Sequence, residues 1–419
     1  MDDGALFARA QMGLSLGFHI IFAVIGIAMP VLMVAAEILW RRTGDPDYER
    51  LAKVWAKGTA VFFAVGAVSG TVLSFELGLL FPGFMKLAGA IIGIPFSLEG
   101  FAFFTEAIFL GVYLYGWDRV KPWMHIASGV VVAVSGLASA VFVTLVNAWM
   151  NAPRGFRLVD AQLVDIDPLM AMTTPFALHE ITHMAVAAYM STAIGAAAIH
   201  AWGLLRDPRS ALHRKAFGIC LALAIPFTLV QPALGHFAGQ QVAKWQPMKL
   251  AAMERLMETQ AGAPLNLGPV KVPGALSFLA TNDFDGVVKG LEEFPEKDWP
   301  HEMVRWGWLV MVGIGTALAG WAALGLLGRL RKRPPGRWYL LATLAAGPTG
   351  FIAVEAGWIV TEVGRQPWTV YGVLRTNDAA TPMPNLWIPL VVFSVVYLLL
   401  SVVVTATIVR HVRETVPSP

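Results

Sequence analysis

The sequence predicts an all-α protein, a polytopic membrane helix bundle of about nine transmembrane helices. Three observations predict it. Hydrophobic residues make up 56% of the 419 positions and charged residues only 14%, which is more apolar surface than a water-soluble core buries. Apolar runs of about 20 residues recur along the chain, each long enough to cross ~30 Å of hydrocarbon as a helix. Basic residues gather in alternate connections between those runs, the asymmetry that orients a membrane protein.

The runs, in order, are Leu14–Trp40, Thr59–Phe81, Pro95–Trp117, Ile126–Trp149, Ile181–Leu205, Phe217–Gly235, Trp306–Leu327, Trp338–Val360 and Leu386–Val409. Arg41, Arg42, Arg50, Lys53 and Lys57 follow the first, and Arg119 and Lys121 the third. Arg206, Arg209, Arg214 and Lys215 follow the fifth. Arg329, Arg331, Lys332, Arg333 and Arg337 follow the seventh, and Arg410 and Arg413 close the chain. By the positive-inside rule these segments are cytoplasmic, so the N-terminus is expected outside and the C-terminus in the cytoplasm. The formal charge of +3 is spread over alternate loops, a pattern that points to a lipid bilayer and not to nucleic acid. The first run is long and has no basic leader, so no cleavable signal peptide is expected. A single cysteine, Cys220, excludes an internal disulfide framework and a CxxCH haem attachment.

Three parts are expected: residues 1–235 with six spans, an external loop at 236–305, and the last three spans in 306–419. The loop is polar and rich in Pro and Gly, and carries an amphipathic helical stretch, Met248–Thr259. The connections Pro82–Ile94, Met150–Leu178 and Glu362–Asn385 fall on the same outer side.

Polar residues at membrane depth carry the functional signal. Glu355, Trp358, Glu362 and Arg365 fall at helical spacing in VEAGWIVTEVGRQPW, and an ionisable group at membrane depth costs roughly 2.5–3.5 kcal/mol on insertion scales. His19 lies near the outer start of the first span, His179 and His183 at the outer start of the fifth, Met311 in the outer part of the seventh and Glu362 at the outer end of the eighth. Imidazole, thioether and carboxylate groups at one level are ligands for a metal or for haem iron. Isolated histidines such as His200 and His411 read as packing or interfacial residues. His179-Glu180-Ile181-Thr182-His183 also matches HExxH, which on a helix sets two histidines on one face for zinc with the glutamate as general base. An intramembrane metalloprotease is therefore an alternative, although it leaves His19, Met311, Glu362 and the loop unexplained. In the third span Glu99 and Glu106 lie on nearly one face, ~10 Å apart, with Asp118 at its cytoplasmic end. Acids so placed suit a proton route to a buried reduction site.

Taken together, the residues resemble subunit I of the cytochrome bd-type quinol oxidases over essentially the full length. The carriers are ARAQMGLSLGFH in the first span, SLEGFAFFTEAIFLGVYLYGWDR in the third, GLASAVFVTLVNAWM in the fourth and HMAVAAY in the fifth. QPMKLAAME in the loop, MVGIG in the seventh span and EAGW followed by GRQPW in the eighth complete the set. The resemblance implies that His183 and Met311 are axial ligands of a low-spin haem b. It implies that His19 and Glu362 serve the two high-spin haems of the oxygen-reducing site, one of them haem b and the other d or b. Trp358 would lie beside those haems, and Arg9 and Arg365 would hold their propionates. Glu99, Glu106 and Ser139 would belong to the proton route, and Lys249 and Glu254 would bind quinol. SFELG and the seven-residue Glu99–Glu106 spacing resemble the cyanide-insensitive branch, and Leu309 stands where an arginine is familiar, with Arg305 about a turn and a half before Met311.

The function implied is that of a terminal respiratory oxidase in a prokaryotic cytoplasmic membrane. It would oxidise quinol, reduce O2 to water and separate charge across the bilayer, with a second membrane subunit as partner. The alternatives are a haem b electron-transfer protein without oxygen chemistry, the protease, and a transporter, whose inverted repeats are not evident in this sequence.

Overall fold

A computed structural model describes residues 3–267 and 270–415; residues 1–2, 268–269 and 416–419, which fall inside the three expected parts, lie outside the described residues. Among the described residues, nine helical spans are long and apolar enough to cross a membrane. The first six are α1 (Asp3–Thr43), α2 (Pro46–Leu80), α3 (Pro82–Tyr115), α4 (Pro122–Asn151), α5 (Ala177–Arg206) and α6 (Ala211–Trp245). After a short loop helix α7 (Pro247–Glu254) come α8 (Met303–Leu330), the broken pair α9 (Arg337–Ala346) and α10 (Thr349–Val363), and α11 (Trp387–Thr415). The remaining structure is short hairpins and single turns in the loops.

Local chemistry sets the helix starts. Pro46, Pro82, Pro122 and Pro247 occupy first turns, where a missing N–H costs nothing. Asp45 caps α2 by accepting from the Asp47 backbone N–H, and Ser210 caps α6 by accepting from that of His213.

Several boundaries differ from the sequence reading. The connection Pro82–Ile94 is helical, because Pro82 starts α3 and Pro95, read as a start, lies inside it. Pro95 has no N–H to donate to the Ile91 carbonyl, a gap that helices within a membrane bundle tolerate. The sixth span continues ten residues beyond Gly235 to Trp245. The eighth is interrupted at Gly347–Pro348, where Pro348 cannot donate to the preceding turn. The loop helix ends at Glu254 instead of Thr259, at a left-handed Arg255 with φ 53°. It is mostly buried, including Met248, Lys249, Leu250 and Glu254, and so is not a surface amphipathic helix.

Helices α1 and α5 are the most buried spans, while α2, α3 and α11 present apolar faces outward through Phe75, Phe101, Phe104, Leu398 and Val402. The basic segments meet at one end of the bundle. Lys215 Nζ is 2.5 Å from Asp45 Oδ2 and 2.6 Å from Asp47 Oδ2, Arg329 donates to the Gly218 carbonyl (2.9 Å), and His411 Nε2 donates to the Val54 carbonyl (3.0 Å). At the other end the loop between α6 and α8 builds a small core from Met248, Leu250, Ala251, Leu256, Ala263, Leu276, Val288 and Leu291.

Candidate functional site

Helix α1 brings His19 against α2, where its Nδ1 is 2.9 Å from Ser69 Oγ. Ser69 in turn donates to the Val65 carbonyl at 2.9 Å, so its hydroxyl accepts from the imidazole and fixes the ring. A Cβ on Gly70 would stand only 3.0 Å from His19 Cε1, so the ring needs glycine beside it. Two residues before His19, a Cβ on Gly17 would approach Glu355 Oε2 to 3.3 Å, which puts the Glu355 carboxyl of α10 against α1. Its other oxygen, Oε1, is buried without a partner among the described residues. Trp358, one turn further along α10, packs with Leu16 and Ile20 of α1 and Met184 and Ala188 of α5.

Glu362 closes α10 and is held from two sides. Asn147 of α4 donates its amide to Oε1, and Arg365 Nη2 donates to Oε2 at 2.6 Å. Arg365 is 2% exposed, yet its Nε and Nη1 have no acceptor among the described residues. A buried guanidinium with two idle donors requires an acceptor that the described residues do not provide. Arg9 sits half-buried on an early turn of α1.

His183 and Met311 lie on α5 and α8, each of which packs against α6 and α10. The His183 Nδ1 is buried without a partner, and Gln231 Nε2 stands 3.1 Å from His183 Nε2. A Cβ at Gly357 would come within 3.1 Å of Met311 Sδ, so α10 leaves the thioether its place by having no side chain there. Ser139 Oγ of α4 donates to Glu99 Oε1 of α3 at 3.1 Å. Glu106 is buried against Gly136, where a Cβ would approach its Oε1 to 3.2 Å. The orphaned ring nitrogen, the idle guanidinium donors, the unpaired Glu355 oxygen and the glycine cradles all fit the haem groups implied by the resemblance.

The quinol candidates do not face each other. Lys249 donates to Asn151 Oδ1 (3.0 Å) and to the Thr361 carbonyl (3.3 Å), toward Glu362. Glu254 accepts from the Asn266 backbone N–H at 3.0 Å and lies near Arg305. Burial pushes the Glu254 carboxyl up to about 7. Burial also lowers the Lys249 ammonium, helped by Arg365 and opposed by Glu180 and Glu362.

The HExxH reading gains no third ligand. Among the described residues no group of three His, Cys, Asp or Glu side chains could hold a metal ion, and Glu180 points to Asn151 Nδ2 (3.1 Å). The sequence reading did not single out Asn147, Asn151 or Gln231. Asn147 does fall inside GLASAVFVTLVNAWM, where an amide in an apolar run was the available signal.

A family model for subunit I of the cytochrome bd terminal oxidases matches residues 7–416. A cytochrome bd menaquinol oxidase subunit I of Bacillus subtilis is 36% identical over 99% of this chain and 97% of its own length. Subunit 1 of the bd-II ubiquinol oxidase of Escherichia coli is 28% identical over 90% of each chain. The structure of bd oxidase from Geobacillus thermodenitrificans superposes with a TM-score of 0.93 at 38% identity, covering 98% of this chain and 99% of that one. With nearly its whole length matched, this chain belongs to the family of cytochrome bd terminal oxidase subunit I.

Proposed function

We propose that this chain oxidises a membrane quinol and reduces O2 to water as a multi-pass subunit of a bacterial inner-membrane respiratory oxidase. The observation that carries the reading is the Glu362–Arg365 pair, whose guanidinium is buried with idle donors, set beside Asn147 at the same end of the bundle as Lys249. Two quinols lose four electrons and four protons, and one O2 takes up four of each to give two waters. The haems, when bound, supply the iron that carries those electrons and reduces oxygen.

The residues divide the remaining work. His183 and Met311 hold the low-spin haem b, while His19 and Glu362 hold the high-spin pair, a haem b and a third haem of d or b type. Arg365, with donors to spare, and Arg9 neutralise haem propionates. Trp358 walls the site between α1 and α5. Lys249 holds a quinol oxygen, and Glu254, poised near neutrality, accepts a quinol proton. Protons for water formation come past Asp118, Ser139, Glu106 and Glu99.

Orientation follows from the clustered basic segments: N-terminus outside, C-terminus cytoplasmic, with residues 236–305 as the external quinol-binding loop between the two spanning parts. Quinol protons then leave outside while water-forming protons enter from the cytoplasm, which separates charge without a pump. The outward apolar faces of α2, α3 and α11 suit lipid and a second membrane subunit. Haem extraction with a reduced-minus-oxidised spectrum, alongside quinol-driven O2 consumption, tests the proposal. Low-spin haem alone, with no oxygen uptake, would instead make the chain an electron-transfer cytochrome.

A further inference from the structure

The last turn of α4 carries two asparagines, Asn147 and Asn151, whose hydrogen bonds join the two chemical sites. Asn151 Oδ1 accepts from Lys249 Nζ at 3.0 Å and from Gln246 Nε2 at 3.1 Å. An ammonium has donors only, so this end of the Asn151 amide must be its oxygen. The Nδ2 end therefore faces the other way, donating to Asn147 Oδ1 at 2.9 Å and to Glu180 Oε1 at 3.1 Å. Asn147 then points its own Nδ2 at Glu362 Oε1. Every donor along Lys249, Asn151, Asn147 and Glu362 runs in one direction, from the cation to the carboxylate. Such a row is polarised by the charges at its ends, and each bond strengthens the next.

Side-chain amides do not relay protons readily, since each N–H proton would have to leave a neutral amide. The row instead transmits charge as polarisation. The charged and titratable groups around Lys249 are Glu180 and His179 on α5, Glu362 at the end of α10, and Arg365 just beyond it. Glu180 branches from the middle of the row, where it opposes the positive charge of Lys249 and orients the amide between them.

We propose that Asn147, Asn151 and Glu180 couple the quinol-oxidising site to the oxygen-reducing site, so that charge at the Glu362 end sets how firmly Lys249 holds quinol. The proposal rests on the roles assigned above to Lys249 and Glu362. Asn147, Asn151 and Glu180 are positioning residues in this scheme; none is required to touch a reacting atom.

The test uses the complete haem-loaded oxidase and 2-heptyl-4-hydroxyquinoline N-oxide, a quinol analogue that cannot be oxidised. Its Kd is measured on the oxidised and the dithionite-reduced enzyme. The wild type should show Kd values that differ by about fivefold or more between the two states, the low end for coupled sites. In Glu180→Gln and Asn151→Leu the ratio should fall toward one while all haem signals remain. Glu180→Gln keeps shape and hydrogen bonding, so it decides the matter if Asn151→Leu does not fold. A network that only satisfies buried groups would alter thermal stability and leave the ratio intact. That result, or a wild-type ratio of one, overturns the coupling. If Lys249→Ala leaves the analogue's Kd unchanged, the quinol-site reading itself fails. If Lys249→Ala weakens binding but Glu180→Gln keeps the wild-type ratio, the coupling alone fails.

Discussion

A single methyl group at Gly357 tests the thioether ligand with the least disturbance elsewhere. A Cβ there would stand 3.1 Å from Met311 Sδ and 4.0 Å from its Cγ. Non-bonded heavy atoms rest ~3.5–4.0 Å apart, so the sulfur must retreat by roughly 0.4–0.9 Å. Metal–ligand distances tolerate only about ±0.2 Å, so Gly357→Ala should stretch or break an axial bond from Met311. The overpacking itself should cost ~1–3 kcal/mol. Gly313→Ala is the matched control on α8, because a Cβ at that position meets nothing within 4 Å. There, alanine should be neutral or stabilising, by up to ~0.8–1.0 kcal/mol, as for an ordinary helix interior. The assay is the reduced-minus-oxidised spectrum of the purified enzyme with and without carbon monoxide, which binds where an axial ligand has been lost. Gly357→Ala should lose low-spin signal and gain carbon monoxide binding, whereas Gly313→Ala should do neither. A full low-spin spectrum in Gly357→Ala, or equal damage in both variants, would refute the assignment of Met311.

Three further outcomes are expected. His183→Ala should abolish the low-spin haem signal while high-spin haem stays at least partly bound, because His19 and Glu362 sit on other helices; an unchanged low-spin spectrum would defeat that assignment. Glu254 carries its proton below about 7 and cannot then take one from quinol, so quinol oxidation should decline as pH falls through that value. Glu254→Gln should slow quinol oxidation by on the order of 10²-fold and remove this acid limb, with haem spectra intact. Glu106→Gln keeps the shape but cannot exchange a proton, so in flow-flash kinetics the proton-coupled steps of oxygen reduction should slow by about tenfold or more. Electron arrival at the low-spin haem should be spared; wild-type rates in every proton-coupled step would remove Glu106 from the route.

What the sequence revealed and what it hid have different physical origins. All nine spans were legible because hydrocarbon imposes a length and composition that single residues cannot disguise. Proline caused two misreadings in opposite senses. Pro95 looked like a helix start and lies inside α3, while Pro348 lay inside an unbroken apolar run and interrupts it. Charged ligand candidates were visible one at a time because an ionisable group in an apolar run stands out. Their hydrogen-bond partners were not. Asn147 meets Glu362 across 215 residues of chain, and an uncharged amide gives no comparable signal. The resemblance implies that Lys249 and Glu254 bind quinol together, yet α7 turns one toward α4 and the other toward Asn266.

The position of the four charges around Asn151 follows from the helix ends that meet there. Lys249 donates to Asn151, the last residue of α4, and to the carbonyl of Thr361 in the last turn of α10. Both are C-terminal ends, where the helix dipole favours a cation by ~0.3–1 kcal/mol, and by up to ~2 kcal/mol when partly buried. Glu180 lies in the first turn of α5, where the opposite end of a dipole favours an anion. The Glu362–Arg365 pair completes a set of two basic and two acidic side chains. Stripping water from each ion costs several kcal/mol, and pairing recovers this only if the remaining donors and acceptors are also met. Asn147 and Asn151 meet those of Glu362, Glu180 and Lys249, leaving the two idle Arg365 donors, which is why two amides stand at the end of a mostly apolar helix. The same set placed at mid-bundle would lose the helix-end contributions while keeping the full desolvation cost. The physics therefore favours seating both Lys249 and Glu362 at this end of the bundle, within reach of one another.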